Sequence, residues 1–162
     1  MTVGTHVLFQ VGAEAFALLV NAVTEVLPLA ELSTPPGLPE AVAGFLDFGG
    51  AIVAVLRADR LLDLESRDHG LDAHILLLRS EGPGLALLVD RVTSVRSVPL
   101  GDQRPVGDDQ TFRGCVVGEI VGSGRPAHVL SAERLISEGE RRKIVTFGDA
   151  EIRRRSLLET LE

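Results

Sequence analysis

Short apolar runs separated by turn signals recur along the chain, at His6 to Val11, Phe16 to Val20 and Ala51 to Leu56. Runs of this length, rich in Val, Leu and Phe and separated by turn signals, predict β-strands. Gly12 and the Gly82-Pro83-Gly84 cluster predict hairpin turns. Ala17-Leu18-Leu19-Val20 is apolar at every position, which predicts a strand covered on both faces. Ser33-Thr34-Pro35-Pro36-Gly37-Leu38-Pro39 cannot be regular structure, because prolines remove amide donors and push the preceding residue toward extended geometry.

The pattern occurs twice. Ala15 to Val26 aligns with Gly84 to Val95 at an offset of 69, with seven of twelve positions identical. Upstream, His6-Val-Leu-Phe9 aligns with His74-Ile-Leu-Leu77 at offset 68. Downstream, Ala43-Gly44-Phe45-Leu46 aligns with Arg113-Gly114-Cys115-Val116 at offset 70, and Val55 to Leu62 with Val129 to Ile136 at offset 74. Four collinear blocks predict a duplication with small insertions. Each copy ends in a helical signature, Ala58-Asp59-Arg60-Leu61-Leu62 and Ala132-Glu133-Arg134-Leu135-Ile136, with acidic residues ahead of paired aliphatics. Residues 138–162 lie outside the repeat; Asp149 is a candidate N-cap there, but Arg154 interrupts the stripe of Leu157, Leu158 and Leu161.

Composition narrows the classes. The 162 residues suit one domain, or two small units sharing a core. An apolar fraction of 45% and a mean hydropathy of +0.24 place the chain among folded proteins. A net charge of −7 removes the basic face that phosphate recognition needs, and the lack of Trp and Tyr removes most base-stacking platforms. Nucleic acid is therefore not the expected partner. Cys115 is the only cysteine, so no intramolecular disulfide can form and a reducing cytoplasm suits the chain. Met1 to His6 carries neither a basic nor an apolar leader region, and no apolar run approaches 18 residues, so membrane insertion is not expected.

Candidate chemistry is sparse. Ser123, in Gly122-Ser123-Gly124, lacks the spacing of a nucleophile elbow and reads as a turn. Cys115 could pair with His69 or His128, but it sits in an apolar run beside Val116 and Val117, where a buried inert thiol is usual. His6 and His74 occupy matching places in the two copies and read as structural. Asp47 and Asp108-Asp109 lack the alternating ligands of a calcium loop. The glycines of Phe48-Gly49-Gly50 and Gly118 to Gly124 match neither a phosphate-binding loop nor a dinucleotide fingerprint. No enzyme activity, metal or cofactor is expected.

Several segments together resemble the CheW family. Val7-Leu8-Phe9-Gln10-Val11, Phe16 to Val20 and Val23-Thr24-Glu25-Val26 resemble its opening, where an apolar strand leads into a Val-x-Glu-[Ile/Val] stretch. Pro39 to Val53 is similar to the family's run of proline, aliphatic-Gly, Asn-Leu-Arg-Gly and apolar strand, and Leu85 to Val95 with Phe112-Arg113-Gly114 matches its second half. The resemblance covers about residues 5–137. It implies an all-β fold with short helices, in which two pseudo-repeated five-stranded SH3-like barrels share a core. The first barrel is expected at about 13–64, with 129–137 or the N-terminal strand packed across it, and the second at about 74–136, leaving 138–162 as an extension.

The resemblance also implies a function. CheW proteins are adaptors that couple the cytoplasmic tip of a chemoreceptor to the regulatory domain of a CheA-type histidine kinase. Carried over residue by residue, the receptor groove comprises Val23, Glu25, Val26, Asp47, Phe48, Gly49, Gly50 and Val92, and the kinase-facing surface Gly44 and Leu46. In place of the family's Asn-Leu-Arg-Gly stands Asp47-Phe48-Gly49-Gly50, which loses a bidentate cation and gains a negative charge. Ala54 and Arg57 stand near the places of the family's proline and aspartate. Two alternatives follow: a divergent accessory protein binding only receptor or only kinase, and a small two-barrel ligand-binding protein or enzyme with its pocket between the repeats.

Overall fold

The structure, a computed structural model, describes residues 4–65, 70–80, 84–106, 111–122 and 125–140. The apolar runs form strands β1 (Gly4–Val11), β2 (Glu14–Leu19), β3 (Val23–Pro28), β4 (Val42–Phe48), β5 (Ala51–Arg57), β6 (His74–Leu78), β7 (Leu85–Val89), β8 (Arg91–Val98), β9 (Gln103–Pro105), β10 (Val116–Ile120) and β11 (Ala127–Leu130). The two helical signatures form α1 (Ala58–Leu61) and α2 (132–140). Gly12 adopts φ +62° in the two-residue turn between β1 and β2, the left-handed conformation that glycine tolerates best. The proline-rich segment is irregular, as its composition requires, apart from a bridge between Ser33 and Phe45.

One sheet has the order β8-β1-β2-β11-β10-β9 and the other β3-β6-β7-β5-β4. This divides the chain differently from barrels at 13–64 and 74–136. Hairpin β1–β2 from the first half completes the sheet of β8 to β11, and hairpin β6–β7 from the second half completes the sheet of β3 to β5. The cause lies in the connections. Only Asp90 separates β7 from β8, and one residue is too short for a regular hairpin turn, so the chain must run on into the opposite sheet. Val20–Ala22 carries β2 into β3 through one 3₁₀ turn at the matching place. The exchanged hairpins are then held by parallel pairing, β2 with β11 through Phe16 and His128, and β7 with β5 through Leu85 and Ala54.

The strand registers make the duplication exact. Adding 69 maps the Leu8/Ser94 pair onto Leu77/Glu25, and Phe9/Val92 onto Leu78/Val23, with the same bulge between them. Adding 74 maps Val42/Leu56 and Gly44/Val55 onto Val116/Leu130 and Gly118/Val129, again with a shared bulge. Two of the sequence blocks therefore shift. The counterpart of His6 is Ile75 at offset 69, not His74, because His6 opposes Leu19 as Ile75 opposes Leu88. The counterpart of Gly44 is Gly118, not Gly114. A one-residue slip exchanges the two faces of a strand, so the equivalence of His6 with His74 does not hold.

Alternation sorts each sheet into two apolar faces. Val7, Phe9, Phe16, Leu18, Leu56, Leu76, Leu85, Leu87 and Leu130 form one core drawn from both sheets, joined by Leu61 of α1 and its counterpart Leu135 of α2. Each such fully buried side chain contributes about 1.5–3 kcal/mol. The opposite faces line the separate barrel interiors. Leu46, Val53, Val55, Ile75, Leu77 and Leu88 fill one, and Ala17, Val98, Ile120 and Ala127 fill the other. The second interior is smaller in side-chain volume and contains His6 and Gln103, both buried. His6 Nδ1 lies 3.0 Å from the Gly4 carbonyl, and Gln103 Nε2 donates to the Val98 carbonyl at 3.2 Å.

Candidate functional site

Asp47-Phe48-Gly49-Gly50 turns the chain from β4 to β5. Phe48 pairs with Ala51, leaving Gly49 and Gly50 as a two-residue loop with φ values of +61° and +89°. Positive φ at both positions defines the hairpin turn that matches strand twist, and glycine adopts it without steric cost. Asp47 Oδ1 accepts the Gly50 amide at 3.0 Å and closes the turn. All four residues are exposed. The site thus presents one carboxylate, occupied in part by its own backbone, and one exposed aromatic ring.

Glu25 and Val26 are exposed on β3, at the opposite end of the same sheet order from β4. Val26 pairs with Leu76, which belongs to the core shared by both sheets. Directly opposed residues point to the same face, so Val26 continues that apolar layer to the surface, where it is 36% exposed. Val23 is buried in the shared core, and its counterpart Val92, partly buried, packs against that core from β8 while donating its amide to His74 Nδ1 at 3.1 Å. These two valines belong to the core and its margin, not to the exposed surface of Glu25 and Val26.

Gly44 and Leu46 are both buried. A Cβ on Gly44 would lie 2.8 Å from the Leu32 Cβ and the Ser33 carbonyl oxygen, so this glycine lets the irregular segment lie directly on β4. Leu46 points into the barrel interior. In this chain neither residue offers surface to a partner.

Among the exposed apolar residues that the sequence alone did not single out, two oppose residues already described. Val95, the counterpart of Val26, pairs with core residue Val7 and is 55% exposed; Ile52 pairs with Asp47 and is 63% exposed. The offset of 69 was sufficient to point from Val26 to Val95. Ile52 lay hidden in a run apolar at every position, which gives no sign of where burial stops.

Elsewhere, Cys115 is buried in the shared core. The His128 ring packs on Phe16 and Phe112, with centroids 5.5 and 4.9 Å away, and its Nε2 lies 3.3 Å from Glu14 Oε2. His69, Ser123 and Asp108-Asp109 lie outside the described residues. Among the described residues no group of three or more His, Cys, Asp or Glu is placed to hold a metal ion, and no helix is long and apolar enough to cross a membrane.

Comparison with known proteins agrees with this architecture. The crystal structure of the scaffolding protein TtCheW from Thermoanaerobacter tengcongensis is similar to this chain, with a TM-score of 0.71 and 20% identity over 81% of this chain and 86% of the other. No curated protein matches the sequence. The model of the CheW-like domain matches residues 5–140, spanning both copies of the repeat, both sheets and helix α2. With the exchanged hairpins, the paired bulges and this match together, the chain belongs to the CheW-like domain family.

Proposed function

We propose that this chain is a cytoplasmic, non-enzymatic adaptor that couples a chemoreceptor tip to the regulatory domain of a CheA-type histidine kinase. Membership in the CheW-like family supports a scaffold in chemosensory signalling. The observation that carries the receptor-binding part is Val26, where the apolar core emerges at a strand edge beside exposed Glu25. An amphipathic helix can lay aliphatic side chains on such a surface, with one carboxylate fixing its orientation. Co-precipitation of the purified protein with a receptor signalling tip and with the kinase regulatory domain tests the role. Capture of both supports coupling, and capture of neither overturns it.

The Asp47 to Gly50 turn favours a second reading, an accessory protein that binds one of the two partners. It has Gly49 where the family places a guanidinium, and a carboxylate, Asp47, where the family places an amide. Gly49→Arg is a usable probe, since a Cβ there meets nothing within 4 Å and only the local φ of +61° opposes it, at about 1–2 kcal/mol. Under this reading the substitution restores the absent partner; under full coupling both partners already bind the unmodified chain.

A further inference from the structure

The exact register shows where the two copies have diverged. β5 leaves its sheet at Arg57 and β11 leaves at Ser131, its counterpart at offset 74. Arg57 folds onto Asp59, donating from Nε and Nη2 to the two carboxylate oxygens at 3.2 and 3.0 Å, and the Asp59 side chain is almost fully buried. The second copy keeps the acid as Glu133 but has only a hydroxymethyl group at Ser131. There a hollow of about 400 Å³ opens to the surface, with Leu18, Val117 and Leu130 forming its apolar wall and Asn21, Ser131 and Glu133 among its polar lining. Leu19 and Glu133, which also line the hollow, have as first-copy counterparts Leu88, which pairs with Arg57 across strands, and Asp59, which Arg57 contacts.

Glu133 is exposed and makes no ion pair among the described residues. An apolar wall leading to one carboxylate suits a long cationic side chain, whose methylene stem packs on aliphatics while its head reaches the acid. The planar fork of arginine matches a carboxylate with two parallel hydrogen bonds, whereas lysine offers a point charge. The net charge of −7 favours approach of a cationic partner. We propose that this hollow binds an arginine side chain of a partner polypeptide, supplied from outside at the place where the first copy supplies Arg57 from its own chain. The site is separate from the Val26 surface and does not depend on the coupling role.

The test uses the full chain, labelled with ¹⁵N, titrated with the peptide acetyl-Leu-Arg-Leu-amide while amide resonances of Ala22, Ser131 and Glu133 are followed. The counterpart peptide carrying citrulline, a neutral analogue of arginine, is titrated in parallel. Saturable shifts at these three amides are expected, with at least fivefold weaker binding of the citrulline peptide. Glu133→Gln should remove that preference, and Ser131→Arg should abolish binding by rebuilding the first copy's arrangement. Absence of saturable shifts, equal binding of both peptides, or binding that persists in a folded Ser131→Arg protein would overturn the proposal. If Ser131→Arg does not fold, the Glu133→Gln comparison decides alone.

Discussion

The Asp90 carboxylate accepts the Gly12 amide at 2.7 Å, tying the crossover between the two sheets to the turn of the hairpin that the first half contributes. The same residue donates its own amide to the Gln10 carbonyl at 3.0 Å. Two bonds thus fix the single residue on which hairpin exchange depends.

Asp90→Ala should lower the free energy of unfolding by about 1–3 kcal/mol, the usual cost of deleting a charge-assisted bond and stranding its partner. Asn21 is the counterpart, and its exposed side chain makes no such tie among the described residues, so Asn21→Ala should change stability by less than about 0.5 kcal/mol. Urea denaturation of the two variants measures the difference. Equal effects would mean that the crossover is held by the pairing of strands alone.

His6 gives a pH dependence with a definite sign. It lies in a barrel interior where its counterpart is Ile75, and burial lowers its pKa from the ordinary 6.5, more than its contact with the Gly4 carbonyl raises it. The unfolded chain therefore binds the proton more readily than the folded one. His6 withdraws no stability well above pH 6.5 and an increasing amount as pH falls below it, until the folded-state pKa is passed. His6→Ile, which copies the other barrel, should flatten the pH dependence of the urea midpoint between about pH 7 and 5. An unchanged slope would place its origin in other groups.

Glycines 44 and 49 should fail differently. Gly44→Ala pushes a methyl group to 2.8 Å from two backbone-anchored atoms, so overpacking should cost about 1–3 kcal/mol. Gly49→Ala meets open space and carries only its positive φ, costing about 1–2 kcal/mol and less than the overpacking at Gly44. Thermal melts rank the two. If Gly49→Ala is the more damaging, the turn matters more to the fold than the loop packed on β4.

Strands, hairpin turns, terminal helices and duplication could all be read from residue patterns, because periodicity and glycine placement are local signals. The exchange of hairpins could not, since it depends on parallel pairing between residues such as Phe16 and His128 that lie far apart in the chain. The alignment of His6 with His74 followed residue identity where hairpin register places Ile75. The Gly44 alignment failed for a related cause: the insertion falls between the third and fourth strands, shifting the offset from 69 to 74 in one step. Among the site residues, Glu25 and Asp47 are exposed, as charged side chains usually are. Val23, Leu46 and Val26 look alike in sequence, and only the pairing separates two core residues from one that emerges.

Cys115 lies within the shared core, so its thiol should react with an aromatic disulfide reagent only as fast as the protein opens. The reaction should be slow in buffer and accelerate by orders of magnitude above the urea midpoint. Rapid modification of the native protein would show that the core around Cys115 opens without global unfolding.

The coupling role is tested most directly by calorimetric titration of a receptor signalling tip and of a kinase regulatory domain into the unmodified protein, Val26→Asp and Leu71→Asp. Val26 and Leu71 are both exposed aliphatics, but only Val26 continues the shared core to the surface. The unmodified protein should bind both partners, and Val26→Asp should weaken receptor binding at least tenfold, about 1.4 kcal/mol, while Leu71→Asp leaves it unchanged. Failure of the unmodified protein to bind either partner, or equal receptor affinity for the two variants, would contradict the account.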